Sequence, residues 1–281
     1  MEDTKRIIER FNRIHPTPMA LKRLSQLLAS QDATLKDVED VIKVDPLLVA
    51  RILNVVNSAY YSLLQRIDNL SRAIAYLGMR SLHTLIIADT LQTLASLGGR
   101  RPNDLRLRIW RHSAAVSVAA KMIAERVFGV NGDDAYLAGI LHDFGLIVEE
   151  ELEHDAFAVI ARDATSVMEM LSLEQRYFGV NHCRIGAELC VQWMVGRNVT
   201  QAIFNHHGSN AVAPESLGGI LRLAEYLIGR GQSHAGVGPT VWLNDGLKAH
   251  IEENSDEYAV LMEDFPAEMK KANELYSEWV I

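Results

Sequence analysis

Cysteine is scarce in this 281-residue sequence, which contains only Cys183 and Cys190. The two cysteines lie seven positions apart on one predicted helix face. That spacing separates them by about 10 Å along the helix axis, which is too far for a disulfide bond. Because disulfides are rare in the cytosol, we expect two small, reduced core residues in a cytoplasmic protein.

Long apolar runs are missing as well. No segment approaches the roughly 20 apolar residues of a membrane-spanning helix, because Arg, Asp or His interrupts each candidate within a few turns. The N-terminus, residues 1–6, is charged, and the apolar stretch of a signal peptide does not follow it. The sequence therefore predicts a cytoplasmic protein that has neither a leader nor a membrane partner.

An excess of basic residues is also missing. The chain has 28 Lys and Arg against 36 Asp and Glu, which gives a formal net charge of −8. Proteins whose main task is to grip phosphate backbones usually carry a basic patch or a high isoelectric point. The short basic runs at residues 100–101 and 106–111 are interpreted as solvated helix faces. No nucleic-acid partner is expected.

Strand signals are nearly absent, and helical spacing of apolar residues runs along most of the chain. Several polar residues are typical of helix starts: Thr34 opens a capping box, and Asp45 precedes Pro46 as an N-cap. Gly78 is predicted to end a short helix from Leu70 to Leu77. These signals predict an all-α fold.

One segment has the composition of a domain boundary. Residues 96–104 combine two glycines, a proline and several charges between two helical patterns. We therefore predict an N-terminal helical subdomain at residues 1–98, a linker at 98–104 and a second helical domain at 104–281. Within the second domain, one continuous helix is predicted from Asp133 to Glu150.

Five of the ten histidines follow an ordered pattern with two carboxylates. The candidate metal ligands are His112, His142, Asp143, His182, His206, His207 and Glu225. Adjacent helical residues are about 100° apart, so the pair His142 and Asp143 can address one cavity from one helix. A central carboxylate can bridge two ions while histidines from several helices cap them, as in metal sites of helical bundles.

The chemistry of this set indicates a divalent-metal pocket. A single buried histidine is more often structural than a ligand, so the ordered set carries the prediction. Neutral imidazole and carboxylate groups suit iron, manganese or zinc, bound singly or as a binuclear pair. The absence of a Cys-x-x-Cys pair argues against a structural zinc ribbon. The remaining histidines have no evident partners and are predicted to be surface or capping residues: His15, His83, His154, His234 and His250.

Several separated motifs, in one order, resemble the HD-related output domain, HDOD. The motifs of the first half are Pro16-Thr17-Pro18, Val44-Asp45-Pro46, Asn57-Ser58-Ala59, Ala73-Ile74 and Leu77-Gly78. Those of the second half, which resemble the wider HD superfamily, are His112-Ser113, His142-Asp143, residues 178–182 and His206-His207. The resemblance begins near His15, covers nearly all of the chain, and is weakest over its last 40 or so residues. It implies an all-α architecture with a helical subdomain followed by an HD-like domain.

The resemblance also implies a function. HDOD proteins are regarded as bacterial signalling modules, and the HD superfamily implies metal-dependent phosphohydrolases, with Asp143 as the candidate catalytic residue here. Three departures argue against strong hydrolysis. Leu146 stands where active HD-GYP relatives have a lysine, and Glu225 stands in place of the final HD aspartate. No Gly-Tyr-Pro motif follows His206-His207.

We therefore expect a cytoplasmic signalling or regulatory protein that keeps an HD-like metal pocket, with weak or absent hydrolysis. Its partner would be a signalling protein or a small phosphorylated ligand. One alternative is an active metal-dependent phosphohydrolase acting on a nucleotide or phosphoester; another is a di-iron protein that performs oxygen chemistry. An enzyme predicts an open pocket at His142-Asp143 with room for a phosphate, whereas a binding module predicts a closed pocket.

Overall fold

The computed structural model describes residues 2–30, 32–58, 61, 63, 65–96, 104–208, 210–231 and 242–276. Helices dominate this described part of the chain, and no strand occurs in it. The helices are α1 (Glu2–Ile14), α2 (Met19–Ala29), α3 (Leu35–Ile42), α4 (Pro46–Val56), α5 (Leu70–Ser96), α6 (Asp104–Met122), α7 (Asp133–Leu141), α8 (Phe144–Leu152), α9 (His154–Asp163), α10 (Val167–Phe178), α11 (His182–Gln192), α12 (Arg197–Phe204), α13 (Leu217–Gly231), α14 (Asp245–Glu253) and α15 (Ser255–Tyr276), with a π-helical turn at Ile123–Val127. The predicted all-α fold class is confirmed.

Local capping signals determine where α3 and α4 begin. The Thr34 hydroxyl accepts a hydrogen bond from the backbone N–H of Asp37, and the Asp37 carboxylate accepts one from the backbone N–H of Thr34. The Asp45 carboxylate accepts from two backbone N–H groups in the first turn of α4, and Pro46 takes the first helical position. These bonds satisfy N–H groups that have no partner within the helix. Both predicted helix starts are confirmed.

Helix α5 is interrupted at Gly78, whose backbone angles are φ +75° and ψ 164°. A positive φ of this size is open to glycine because glycine has no Cβ. The first helical segment ends there, as predicted, and a second segment continues to Ser96.

The chain divides into two compact units. One comprises Met1–Pro16 and Leu91–Leu261, and the other comprises Thr17–Thr90 and Met262–Ile281. The first 16 residues thus group with the unit that carries the candidate ligands, whereas the sequence assigned them to the N-terminal subdomain. The predicted linker at 98–104 lies outside the described residues except for its last position, so a division at that point stays a prediction.

The larger unit is built from helices that pack around the candidate ligands. Helix α6 packs against α7 and α13, and α11 packs against α8 and α12. Helix α1 covers α8 and α11, where the rings of Phe11 and Phe144 meet edge to face with centroids 5.9 Å apart. The packing therefore brings α1 together with helices of residues 104–231 around the core of this unit.

Two glycines allow these helices to approach each other closely. A Cβ at Gly139 would lie 2.4 Å from Cα of Ser117, and a Cβ at Gly145 would lie 2.1 Å from the carbonyl oxygen of His182. Either distance is far inside van der Waals contact with backbone atoms. Glycine at these positions thus lets α7 lie directly on α6, and the start of α8 directly on the start of α11.

The smaller unit corrects one prediction. His83 was predicted to be a surface or capping residue, but it is only 6% exposed. Its Nε2 shares a hydrogen bond of 2.9 Å with the hydroxyl of Ser25, which is also buried. A polar ring can be buried where a hydrogen-bond partner satisfies it. This pairing could not be predicted from the sequence, because Ser25 lies on a different helix.

The other histidines outside the candidate ligand set lie nearer the surface. Nε2 of His15 is 3.5 Å from Glu151, and Nδ1 of His154 is 2.8 Å from Glu150. The ring of His250 stacks on a phenylalanine with centroids 5.2 Å apart. These histidines have partners that the sequence did not reveal. His234 lies outside the described residues.

Both cysteines are buried free thiols, as predicted. Cys190 lies in the core, whereas Cys183 lies beside His182. Among the helices that the structure describes, none combines the length and the apolar character needed to cross a membrane.

Candidate metal centre

The structure brings together all seven residues that the sequence indicates as candidate ligands. His112 lies on α6, His182 is the first residue of α11, and Glu225 lies on α13. His206 and His207 follow α12 in a turn. Residues that are far apart in the chain thus meet in one place, from three helices and two turns.

The pair His142 and Asp143 lies between two helices rather than within one. Helix α7 ends at Leu141 and α8 begins at Phe144, so the continuous helix predicted over 133–150 is wrong. His142 keeps helical backbone angles, but Asp143 has φ −99° and ψ 9° and leaves the helical region. The apolar pattern of the sequence does not reveal this break, because residues 135–150 are buried on both sides of it. The two side chains still address one cavity, but they do so from a turn.

The donor atoms form two groups. Asp143, His182, His206 and His207 make one group; the other consists of His112, His142 and Glu225. Within each group, one donor atom per residue lies within 4.8 Å of all the others. Two groups of this size suit two neighbouring ions.

Asp143 stands between the two groups. Its Oδ2 is 3.2 Å from Nε2 of His142 and 3.8 Å from Nε2 of His112. Its Oδ1 is 3.6 Å from Nε2 of His206 and 3.7 Å from Nε2 of His182. Each carboxylate oxygen therefore faces a different set of imidazoles, which is the arrangement of a bridging carboxylate.

Outer hydrogen bonds orient three of the imidazole rings. Nδ1 of His142 donates to the carbonyl oxygen of Gly139 at 2.7 Å, and Nδ1 of His206 donates to that of Ile203 at 2.6 Å. Nδ1 of His182 donates to a carboxylate at 2.8 Å. Carbonyl and carboxylate oxygens only accept, so each neutral ring carries its proton on Nδ1 and presents the lone pair of Nε2 to the pocket. Metal-binding histidines are typically oriented in this way.

The donors fit a bound cation. Nε2 atoms of His182 and His206 face each other at 3.3 Å, so either a shared proton or a bound cation must offset the repulsion of their lone pairs. Nδ1 of His207 and Oε2 of Glu225 are buried and have no hydrogen-bond partner among the described residues. Buried polar atoms are rarely left without partners. A divalent ion of the iron, manganese or zinc type would satisfy all of these atoms.

The pKa shifts of three candidate ligands suit a metal site. Burial lowers the pKa of His112 to about 4, although Asp143 acts in the opposite direction. Burial, with repulsion from His206, also holds the pKa of His207 well below its usual range. Burial alone would raise the pKa of Asp143, but the adjacent His142 holds that pKa well below its usual value. At neutral pH these three residues are therefore in the forms that bind metal, neutral imidazole and charged carboxylate. In contrast, the adjacent Cys183 raises the pKa values of His182 and His206 well above their usual range, against the effect of burial, so a metal would have to displace a proton from these rings.

The centre is deeply buried. Side-chain exposure runs from 0% for His142 and His206 to 12% for His112. Asp143, the central residue, is 10% exposed. The candidate ligands are therefore largely shielded from solvent.

Leu146 occupies the place where active HD-GYP relatives are expected to have a lysine. Its side chain is 2% exposed and lies in the apolar core, and its backbone N–H donates to the carbonyl oxygen of Asp143 at 3.0 Å. The side chain brings neither a proton donor nor a positive charge to the pocket.

Two buried glutamates were not identified from the sequence. Glu174, on α10, accepts hydrogen bonds from the backbone N–H of His182 at 2.9 Å and from its ring. Glu149, on α8, is 1% exposed, and neither of its oxygens has a hydrogen-bond partner among the described residues. Burial, together with the charge of Glu174, raises the pKa of Glu149 well above its usual value. No spacing rule relates these glutamates to His182, because the three residues lie on three helices.

The sequence was compared with family profiles and with other proteins. The HDOD domain family profile matches residues 14–209. An uncharacterized protein of Treponema pallidum is 26% identical over 211 residues, a match that covers 72% of this chain and 39% of that protein. The chain thus spans about two fifths of the length of that relative.

Solved structures share the fold. A candidate signal transduction protein of Marinobacter aquaeolei has a TM-score of 0.69 and 20% sequence identity; the match covers 93% of this chain and 59% of that protein's chain. A candidate phosphohydrolase of Shewanella amazonensis also has a TM-score of 0.69 and 20% identity; the match covers 96% of this chain and 97% of that one. An HDOD domain protein of unknown function from Geobacter sulfurreducens has a TM-score of 0.68 and 26% identity; the match covers 92% of this chain and 93% of that one.

The family match covers both the capped helices of the smaller unit and most of the candidate centre. Its span, residues 14–209, is more than two thirds of the chain and contains every candidate ligand except Glu225. On this evidence the chain belongs to the HDOD domain family.

Proposed function

We propose that this protein is a signalling or regulatory HDOD protein whose larger unit binds a pair of divalent metal ions and has weak or no hydrolytic activity. The observation that carries the proposal is the burial of converging donors. Seven ligand-type residues meet in one place, and the most exposed of their side chains, His112, is 12% exposed. A centre of this kind suits ions held as part of the fold better than a bulky phosphoester.

The two donor groups suggest how a pair of ions would be held. His112, His142 and Glu225 would bind one ion. A second ion would be held by His182, His206 and His207, with Asp143 between the two. When bound, such a pair lowers the pKa of a coordinated water and neutralises phosphate oxygens.

Two residues argue that hydrolysis is weak. Leu146 cannot help to neutralise a phosphate or donate a proton, and its side chain faces the core. Glu225 is one methylene longer than the aspartate of the HD pattern, and catalytic sites tolerate displacements of only about 0.5 Å. The centre therefore keeps donors for metal while lacking part of what phosphate chemistry needs.

The proposed output is an interaction with a signalling protein or with a small phosphorylated ligand. The description of the Marinobacter aquaeolei neighbour as a candidate signal transduction protein supports this class of function. The chain's own contribution would be a rigid helical unit whose core depends on the metal centre.

The alternative is an active metal-dependent phosphohydrolase. The complete donor set favours it, since every candidate ligand reaches the centre. The Shewanella amazonensis neighbour, described as a candidate phosphohydrolase, has the same fold. The two functions differ in whether the bound metal turns over phosphoesters.

Metal analysis tests the common part of both functions. The full chain, purified without chelator or nickel affinity, should contain about two equivalents of iron, manganese or zinc by elemental mass spectrometry. Asp143→Ala should lose this metal because both groups share that carboxylate. Asp163→Ala, at an exposed aspartate paired with Arg162, is the matched control and should keep it. Unchanged metal in Asp143→Ala, or none in the wild type after reconstitution, would contradict the site.

A phosphoester screen then separates the two functions. The metal-loaded wild type is incubated with phosphomonoesters, phosphodiesters and nucleotides, with Asp143→Ala as the blank. We expect no turnover above the blank. Metal-dependent turnover that disappears in Asp143→Ala would instead support the phosphohydrolase.

A further inference from the structure

The two cysteines occupy different surroundings although they lie on the same helix. Cys190 is fully buried, and no hydrogen bond of its thiol is found among the described residues. Cys183 is 4% exposed, directly follows His182 in the first turn of α11, and has its Sγ 3.5 Å from Nε2 of His182. The thiol of Cys183 therefore reaches the same nitrogen lone pair that faces the candidate metal centre.

The distances around His182 match donors that share one ion. Zinc-type ions lie about 2.0–2.1 Å from imidazole nitrogen and about 2.3 Å from thiolate sulfur, in tetrahedral sites. Two such nitrogens are then separated by about 3.3 Å, and a nitrogen and a sulfur by about 3.6 Å. The observed separations are 3.3 Å between Nε2 of His182 and Nε2 of His206, and 3.5 Å between Nε2 of His182 and Sγ of Cys183.

Buried polar atoms without partners also indicate that this cavity has room for a further ligand-binding partner. Nδ1 of His207 and Oε2 of Glu225 are buried without hydrogen-bond partners in the described part of the chain. The Nδ1 proton of His182 is donated to Glu174, so in the neutral ring Nε2 presents a lone pair to Cys183 and His206. A cation at this point would interact favourably with the sulfur and both nitrogens.

We infer that Cys183 supplies a thiolate ligand to the ion held by His182 and His206. The inference rests on the proposed function, because it requires a metal at this centre. On coordination the S–H bond breaks, the sulfur electron pair forms the metal–sulfur bond, and the proton leaves to solvent. The ion's charge compensates the thiolate, so no oxidant or reductant takes part.

A thiolate makes the two halves of the centre unequal. The group of His112, His142 and Glu225 offers nitrogen and oxygen donors. With Cys183, the group around His182 and His206 offers sulfur as well. Soft sulfur ligands favour zinc and iron over manganese and magnesium, so the second group should be the more selective.

Cobalt(II) is the probe for the test, because thiolate-bound cobalt has a sulfur-to-metal charge-transfer band in the near ultraviolet, separate from its visible d–d bands. The full chain is stripped of metal, reduced, and titrated with cobalt chloride without oxygen. We expect the charge-transfer band to rise and saturate at about one equivalent per chain. Cys183→Ser should lose that band while keeping the visible bands. Cys190→Ser, the matched control at a buried cysteine remote from the donors, should keep both.

Other results of the cobalt titration would overturn the inference. Visible bands without a charge-transfer band in the wild type, or a charge-transfer band that survives in Cys183→Ser, would overturn the cysteine ligand while leaving the metal centre in place. Absence of any cobalt absorption would overturn both this inference and the proposed function. Cys183→Ala provides a second variant without a buried hydroxyl, and circular dichroism checks that each variant is folded. Zinc affinity should fall at least about 10- to 100-fold in Cys183→Ser, the range that loss of an outer-shell partner already causes.

Discussion

Three of the five imidazoles at the candidate centre are held by a partner on the far side of the ring. The partners of His142 and His206 are backbone carbonyl oxygens, which the helix ends leave free for such bonds. The partner of His182 is the buried carboxylate of Glu174, which contacts both the ring and the backbone N–H of that histidine. A carboxylate partner adds negative charge that a carbonyl does not, so it makes His182 the more basic ligand.

Glu174→Gln should weaken metal binding without removing the ring. The amide can still accept a hydrogen bond from Nδ1 of His182, but it lacks the charge that raises ligand basicity. We expect metal affinity to fall about 10- to 100-fold, measured by zinc competition with a chelating dye. Glu188→Gln, at an exposed glutamate on α11, is the control and should leave affinity unchanged. Equal affinity in the two variants would show that Glu174 has only a packing role.

At the scale of elements, the turn between α7 and α8 sets the geometry of the centre. It carries His142 and Asp143, and it is held against the start of α11 by the close approach of Gly145 to His182. Because the helix axis changes at the turn, Asp143 can face both donor groups. The position of Gly145 is thus a requirement of the site as well as of packing.

Gly145→Ala should destabilise the larger unit. The new Cβ would lie 2.1 Å from the carbonyl oxygen of His182, so two backbone segments must separate. Overpacking of this kind typically costs about 1–3 kcal/mol in unfolding free energy, and here it should also reduce bound metal. Gly218→Ala is the matched control, since its Cβ would find its nearest neighbour at 3.9 Å. Urea unfolding measures both variants, and equal stability would show that the helices adjust without cost.

The sequence reveals elements whose cause is local and misses those whose cause is tertiary. The starts of α3 and α4 were predictable because Thr34 and Asp45 bond to their own helices. The break before Phe144 was not, because burial on both sides continues the apolar pattern through it. The candidate ligands were identified by order and residue type. In contrast, Glu174 gains its role only where its side chain meets the start of α11, and the proposed role of Cys183 depends on the cavity between His182 and His206. The sequence therefore predicted the candidate ligands but not the groups that orient them.

At the scale of the whole molecule, the candidate centre links segments that are far apart in the chain. Its donors run from His112 to Glu225, and they come from α6, α11, α13 and four positions in two turns. Unfolding of the larger unit must separate these donors, so bound metal must leave first. The metal centre would therefore stabilise that unit in proportion to its affinity and to the concentration of free metal.

Removal of metal should lower the melting temperature of the wild-type protein. A site with free metal at 100 times its dissociation constant contributes about 2.7 kcal/mol. For a unit of this size, 1 kcal/mol corresponds to about 2–4 °C, so a chelator should lower the transition by roughly 5–10 °C per site. Differential scanning calorimetry with and without chelator measures the shift, and re-addition of zinc should restore it. Asp143→Ala should melt at the same temperature with and without chelator, because it has no metal to lose. A chelator shift of equal size in that variant would mean that the stabilising metal binds elsewhere in the chain.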